Sequence, residues 1–289
     1  MRHAAIKKLA VRIFGHIAPS TLRFIAHHNP INRGRWPVLS ALREDPVCRE
    51  WLAALENPTR TRRGFRIYTV PGDLTSDWIK LHGQHETGTE RFILDHLKPN
   101  STFLDVGANI GYFSLLAAIA GKAKVISFEP QGPIADLLLK SVAHNHVEDS
   151  VRVERMALSN VAATMKMTSC PGNTGHARLI EFDDQGGQPS PVAVVVLDDW
   201  LREHPAGQVS VCKIDTEGTE LKVLEGMHQL LDRDCPAIVV EVVGEFLAEF
   251  AASGARIFEL LARHGYSDVS TRYTFDGEFN RYFVKADDV

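Results

Sequence analysis

From about residue 65 the chain alternates short, almost unbroken apolar runs with amphipathic stretches, and this alternation constrains the fold more than any other feature. The runs are TFLDVG (102–107), KVISFE (124–129), VRVERMAL (151–158), VSVCKID (209–215) and AIVVEVV (237–243). Helical periodicity falls between them, at 89–97, 110–121, 132–144 and 218–233, with a last helix ending at Gly265. Apolar runs of this length, without every-second-residue polarity, predict parallel strands covered by helices on both faces. RIYTV (66–70) is expected as an edge strand. The tail YSDVSTRYTFDGEFNRYFVKA departs from the alternation: strand, a turn at Asp276-Gly277, strand, hence an antiparallel hairpin. Between the third and fourth strands, residues 168–191 are rich in Gly, Pro, Ser and Asp and are expected as a long functional or mobile loop.

Residues 1–64 have another texture. Ile6, Leu9, Ile13, Phe14 and Ile17 repeat at helical spacing until Pro19, and Ser20 can cap a second short helix through His28. Asp45-Pro46 starts a further helix that Asn57-Pro58 stops. The expected organisation is therefore a helical extension (1–64) followed by one α/β domain (65–289). Residues 1–66 carry 13 Lys/Arg against 4 Asp/Glu, while 67–289 carry 19 against 32. A basic amphipathic arm suits an anionic membrane surface through residues 1–30, docking on the chain's own acidic body, or a homodimer contact. Arg12, His16 and Pro19 interrupt any secretory apolar core, and no run is long enough to span a bilayer. The four cysteines lack metal-ligand spacing and suit a reduced compartment. The expected location is cytoplasmic, with the arm touching the inner face of the membrane as one option. An acidic body is a poor fit to nucleic acid.

FLDVGANIGYFSL follows one apolar strand and opens a helix, which is where open α/β sheets bind ligands. Gly107 and Gly111 allow a tight turn and close ligand approach. Asn109 stands where a dinucleotide loop needs its second glycine, and Asp105 would repel a phosphate. A ligand with a cationic end fits better, such as the amino-acid part of S-adenosylmethionine. Glu129 ends the next strand, at the spacing of an acid that bridges ribose hydroxyls.

Taken in order, FLDVGANIGYFSLLAA, VISFEP, VVLDDWL (195–201) and KIDTEGTELKVLEGM (213–227) resemble the FkbM family of S-adenosylmethionine-dependent methyltransferases, and GQHETGTERFILDHLKPNSTF (83–103) is similar to its lead-in. The resemblance covers about residues 65–285. It implies a Rossmann-like seven-stranded methyltransferase sheet and O-methylation of a hydroxyl on a saccharide, glycolipid or related natural product. It also implies S-adenosylmethionine contacts from Asp105, Gly107, Ala108, Asn109, Gly111, Glu129, Pro130, Leu158 and Asp215. Lys213, Asp215 and Glu217 would line the reaction side. His85 departs from the aromatic residue usual before the glutamate matching Glu86.

Methyl transfer needs an alcohol aligned and relieved of its proton. Lys213 and Asp215 share one side of their strand, and a lysine among apolar neighbours needs a partner, either Asp215 or Glu241 of the next strand. Asp215 or Thr216 can instead cap the following helix, and Glu217 and Glu220 suit its positive end. Glu220 is best read as a helix residue. His85 and His176, in glycine-rich loops, are alternative bases. No metal is expected: the strand exit VVEVVGEF offers Glu241 but no Asp-Asn pair, and hard cations need several oxygens. Two other functions compete, an NAD-dependent oxidoreductase, which Asn109 opposes, and a non-catalytic nucleoside-binding protein on the same fold.

Overall fold

A computed structural model describes residues 35–168, 170, 172–180, 190–273 and 279–288. The expected helices before residue 30, the Asp276-Gly277 turn and residues 181–189 of the insertion lie outside the described residues. The chain divides into two compact units, Met1–His85 with Pro171–Asn173, and Glu86–Cys170 with Thr174–Val289.

The first unit contains α1 (Arg35–Glu44), α2 (Pro46–Ala54), β1 (Thr59–Arg60), β2 (Arg66–Ile67) and α3 (Leu74–His82). Asp45 caps α2 as its sequence predicts, its Oδ1 accepting the Cys48 N–H at 3.1 Å. Leu39, Leu42, Cys48, Leu52 and Leu81 make the small core. Arg66–Ile67 pairs antiparallel with Thr59–Arg60 alone, so RIYTV is not an edge of the main sheet. Two residues of pairing are too few to declare a partner by pattern.

The second unit begins with α4 (Thr87–His96), β3 (Thr102–Val106), α5 (Tyr112–Ile119), β4 (Lys124–Phe128), α6 (Gly132–His144) and β5 (Val151–Glu154). It continues through β6 (Ala157–Leu158), β7 (Ala163–Met167), β8 (Leu179–Ile180), β9 (Ser190–Val195), α7 (Leu197–Glu203) and β10 (Val209–Ile214). It ends with α8 (Glu220–Glu225), α9 (His228–Arg233), β11 (Ala237–Glu241), α10 (Gly244–Glu249), α11 (Gly254–Arg263), β12 (Tyr266–Asp268) and β13 (Asn280–Lys285). The main sheet has seven strands in the order β12-β13-β11-β10-β3-β4-β5. β11, β10, β3, β4 and β5 run parallel, and β13 lies antiparallel to both β11 and β12. This is a Rossmann-like seven-stranded sheet with an antiparallel C-terminal pair, as the sequence predicts.

Alternation along the strands sorts the two faces. Leu104, Val106, Ile126, Phe128, Cys212, Ile214, Ile238 and Val240 meet Leu197, Trp200, Leu221, Leu224 and Ile257 in the main core. Each large apolar side chain fully buried there contributes about 1.5–3 kcal/mol. The opposite face presents Asp105, Ser127 and Lys213, and α4 and α5 lie against it. No helix among the described residues is long and apolar enough to cross a membrane.

Three expectations need correction. VRVERMAL is not one strand: β5 ends at Glu154, and Ala157–Leu158 joins a second sheet, ordered β6-β9-β7-β8. The 168–191 insertion is not all loop, since β8 and the start of β9 fall within it. The helix expected over 218–233 breaks at Gly226, where an added Cβ would lie 2.4 Å from the Ser159 carbonyl oxygen. Past the break, Asp198 accepts the Gln229 and Leu230 N–H groups at 2.8 and 3.1 Å and so caps α9 from about 30 residues upstream.

Candidate functional site

The loop after β3 is shaped by three left-handed residues, Gly107 (φ 78°), Asn109 (φ 50°) and Gly111 (φ 87°). Gly107 is required by contact as well as conformation: a Cβ there would sit 1.8 Å from the Asp215 carbonyl oxygen. A Cβ on Gly111 would sit 2.0 Å from Leu138. The loop and the β10 exit thus touch backbone to backbone, reinforced by the Asp215 N–H donating to the Val106 carbonyl at 3.0 Å. Asn109 tolerates αL because its Oδ1 accepts the next N–H, that of Ile110, at 2.7 Å. Its own N–H donates to Glu129 Oε2 at 2.8 Å, and Gln131 N–H donates to Glu129 Oε1 at 2.8 Å. Burial outweighs these bonds and lifts the Glu129 carboxyl to about 7.

Asp105, Ser127 and Lys213 stand level on neighbouring strands. Ser114 on α5 donates to Asp105 Oδ2 at 2.5 Å and lies 2.7 Å from the Ser127 hydroxyl. Asp105 is fully buried, and its Oδ1 has no hydrogen-bond partner. Burial raises its pKa against the pull of Lys213 and Ser114. Lys213, 2% exposed, donates to Asp215 Oδ2 at 2.8 Å and lies 5.2 Å from the Phe113 ring centroid. Burial alone would lower the lysine pKa, but Asp215, Asp105 and Glu86 outweigh it and hold the pKa above its ordinary value. Those acids favour the charged ammonium, and its hydrogen-bonded partner is Asp215 rather than Glu241.

Beyond Asp215 the carboxylates divide by task. Glu220 accepts the Thr216 N–H at 2.8 Å and the Gly218 N–H at 3.0 Å, so it ties the turn into α8. Glu217 instead lies in left-handed backbone (φ 57°), 8% exposed, with Oε2 lacking a hydrogen-bond partner. Burial, then Asp215 and Glu220, push its carboxyl up to about 9. Glu241 ends β11, and burial with Asp215, Glu217, Glu220 and Glu86 pushes it up to about 11. One oxygen each of Asp215, Glu217 and Glu241 lies within 4.8 Å of the other two.

The structure therefore gathers Gly107, Asn109, Gly111, Glu129, Lys213, Asp215 and Glu217 around the carboxyl ends of β3, β4 and β10. Gly107, Asn109 and Pro130 are partly exposed, whereas Ala108 is 6% exposed. Leu158 lies in the apolar core at 1% exposure. Asp105 faces Ser114 and the lysine rather than open space. His85 closes the first unit, and His176 stacks edge-on against Phe246 with ring centroids 5.4 Å apart. Sequence reasoning passed over Ser114, Ser127 and the place of Glu241 beside Asp215. Parity carried the last signal: Val239 pairs with Lys213, so Glu241 two residues on stands level with Asp215. Arg178, which stacks 4.4 Å from the Phe246 centroid and pairs with Glu249 at 2.5 Å, immediately precedes β8 of the inserted sheet that the sequence did not reveal.

Residues 105–267 match the methyltransferase FkbM domain model. The chain is 30% identical to 31-O-demethyl-FK506 methyltransferase FkbM of Streptomyces tacrolimicus, over 64% of this chain and 81% of that protein. It is 30% identical to methyltransferase sdnD of Sordaria araneosa, over 46% of this chain and 63% of sdnD. It spans only 10% of the length of AMB antimetabolite synthetase AmbE of Pseudomonas aeruginosa, at 28% identity over 61% of this chain. Among solved structures, the methyltransferase FkbM of Methylobacillus flagellatus superposes with a TM-score of 0.43 at 13% identity, over 86% of this chain and 58% of that one. The METTL16 methyltransferase domain gives a TM-score of 0.49 at 16% identity, over 83% and 80%. By the extent of the domain match and the shared sequence, this chain belongs to the FkbM methyltransferase family.

Proposed function

We propose that this protein transfers the methyl group of S-adenosylmethionine to a hydroxyl of a saccharide, glycolipid or related natural product. The observation that carries the reading is the contact between the Gly107 loop and the exit of β10, where buried Lys213 pins Asp215 at 2.8 Å. Cofactor loop and proton acceptor then share one set of strand ends. The loop residues fit S-adenosylmethionine: Gly107 and Asn109 offer exposed backbone, and each Glu129 oxygen keeps a lone pair for a ribose hydroxyl after accepting one backbone N–H. Bound there, the cofactor supplies an electrophilic methyl on a cationic sulfur. Lys213 holds Asp215 in place through Oδ2, with the other oxygen left to accept a hydrogen bond from the acceptor hydroxyl. With cofactor and acceptor bound, Asp215 would accept the hydroxyl proton as the methyl group passes to the acceptor oxygen. An oxygen acceptor agrees with the name of the FK506 relative, and a sugar with hexuronic acid methyltransferase AglP of Haloferax volcanii, 22% identical over 67% of this chain.

Calorimetry with S-adenosylhomocysteine and with NAD tests the cofactor. Saturable binding of the former is expected, and tight binding of NAD alone would overturn the reading. With labelled S-adenosylmethionine and a panel of saccharide acceptors, Asp215→Asn should lower methyl transfer roughly 10²–10⁴-fold while keeping S-adenosylhomocysteine affinity. Undiminished transfer by that variant would remove Asp215 from the chemistry.

A further inference from the structure

We propose that Asp215, Glu217 and Glu241 form a binding site for one hard divalent cation, of the Mg²⁺, Mn²⁺ or Ca²⁺ class. Sequence reasoning set a metal aside because the β11 exit lacks an Asp-Asn pair. The structure brings two glutamates to Asp215 instead, from the β10–α8 turn and from the end of β11. Their spacing fits a single ion: one oxygen of each lies within 4.8 Å of the others. Oxygens on opposite sides of Ca²⁺ stand about 4.6–5.2 Å apart, and of Mg²⁺ about 4.0–4.2 Å. The set thus spans about one coordination sphere, close to that of the larger ion and slightly wider than that of the smaller.

Three nearby acids alone would not make a site. The second observation is Glu217, more than nine-tenths buried, its carboxyl directed at the other two and its Oε2 without a hydrogen-bond partner. A buried carboxylate oxygen left unbonded is destabilising unless something satisfies it. Glu220 shows the contrast one turn away: its oxygens accept the Thr216 and Gly218 N–H groups, so it belongs to the turn. The local cations do not fill the gap. Lys213 is committed to Asp215 and shared with Asp105, while Arg178 pairs with Glu249 and only attracts Glu217 from a distance. Three carboxylates on two strand ends and a turn would leave further coordination positions for oxygens from outside the protein. On the O-methylation reading, on which this role rests, those oxygens are two neighbouring hydroxyls of the acceptor, and the favoured acceptor class is a vicinal diol.

The test uses the full-length chain stripped with EDTA, with MnCl₂ alone as the probe, followed by the loss of the free Mn²⁺ EPR signal. One saturable Mn²⁺ per chain is expected. Glu241→Gln and Glu217→Gln, both close to isosteric, should each weaken it at least tenfold, and the surface variant Glu249→Gln should leave it within twofold. Circular dichroism and melting temperature confirm folding, and either glutamine variant suffices if the other does not fold. No saturable Mn²⁺, or binding that survives both substitutions unchanged, overturns the cation site. Calorimetry of S-adenosylhomocysteine in EDTA separates the two readings. Cofactor binding without a Mn²⁺ site overturns only the cation, whereas a Mn²⁺ site without cofactor binding upholds the cation and overturns the methyl-transfer reading.

Discussion

Lys213→Met keeps the length and apolar stem of the lysine and removes only its charge. The wild-type ammonium is 2% exposed and faces Asp215 at 2.8 Å, with fully buried Asp105 level with it on β3. Breaking a buried pair by removing one partner costs about 3–5 kcal/mol. The Asp215 side chain is 25% exposed, so water recovers part of its loss and the lower figure, about 3 kcal/mol, applies. For a chain of this size that corresponds to a fall in Tm of roughly 6–12 °C. The sign of the pH dependence follows from Asp105, whose folded pKa lies above its ordinary value. Such a group contributes stability below its unfolded pKa and loses it as pH rises through the folded value. Without Lys213 the folded pKa climbs further, so the deficit should grow as pH rises. Scanning calorimetry of both proteins as a function of pH reads it. An unchanged Tm would refute the assignment of Lys213 as counter-ion to Asp215 and Asp105.

Gly107→Ala should abolish S-adenosylhomocysteine binding by calorimetry, because a Cβ 1.8 Å from the Asp215 carbonyl forces the loop and β10 apart. Gly132→Ala, with nothing within 4 Å of its added Cβ, is the control and should stay within about 0.5 kcal/mol of wild type. The raised carboxyls make a second pH prediction. Glu217 and Glu241 shift from 4.5 to about 9 and about 11, so in EDTA their stabilisation is present below about 4.5 and is lost as pH rises through the folded values. Tm should fall between pH 7 and 9, and Glu241→Gln should flatten that fall; an equal slope in the variant would count against the crowding of these acids.

The parallel core of the sheet was legible because each strand is short, apolar and buried on both faces, a pattern few other arrangements produce. Strand parity also placed Lys213 beside Asp215, since both depend only on the two-residue repeat. The small sheet was not legible: β7, ATMKM, is largely solvent-facing, and β6 and β8 are two residues long, so neither has a pattern to detect. The break at Gly226 hides for another reason. Its causes, Ser159 against the glycine and Asp198 capping α9, lie far away in sequence. At the site, the strand-end positions of Asp105 and Glu129 are legible, but their hydrogen-bond partners are not: Ser114 donates to Asp105 from a helix, and two backbone N–H groups donate to Glu129.

The charges at the strand ends also limit what the site can do for methyl transfer. A sulfonium loses its positive charge on the way to the transition state, so a strongly negative site would stabilise the ground state more than the transition state and slow the step. The chain places Asp105, Asp215, Glu217 and Glu241 on adjoining strand ends, an excess that would have this effect if all four were ionised and uncompensated. Lys213 offsets one of these charges through its pair with Asp215. Burial and mutual crowding raise the carboxyls of Glu217 and Glu241 and so disfavour their charged forms, and a bound dication would offset two charges by coordination. Lys213 thereby fills a role no surface lysine could: among the crowded acids, Asp215 is the one held directly by a buried cation.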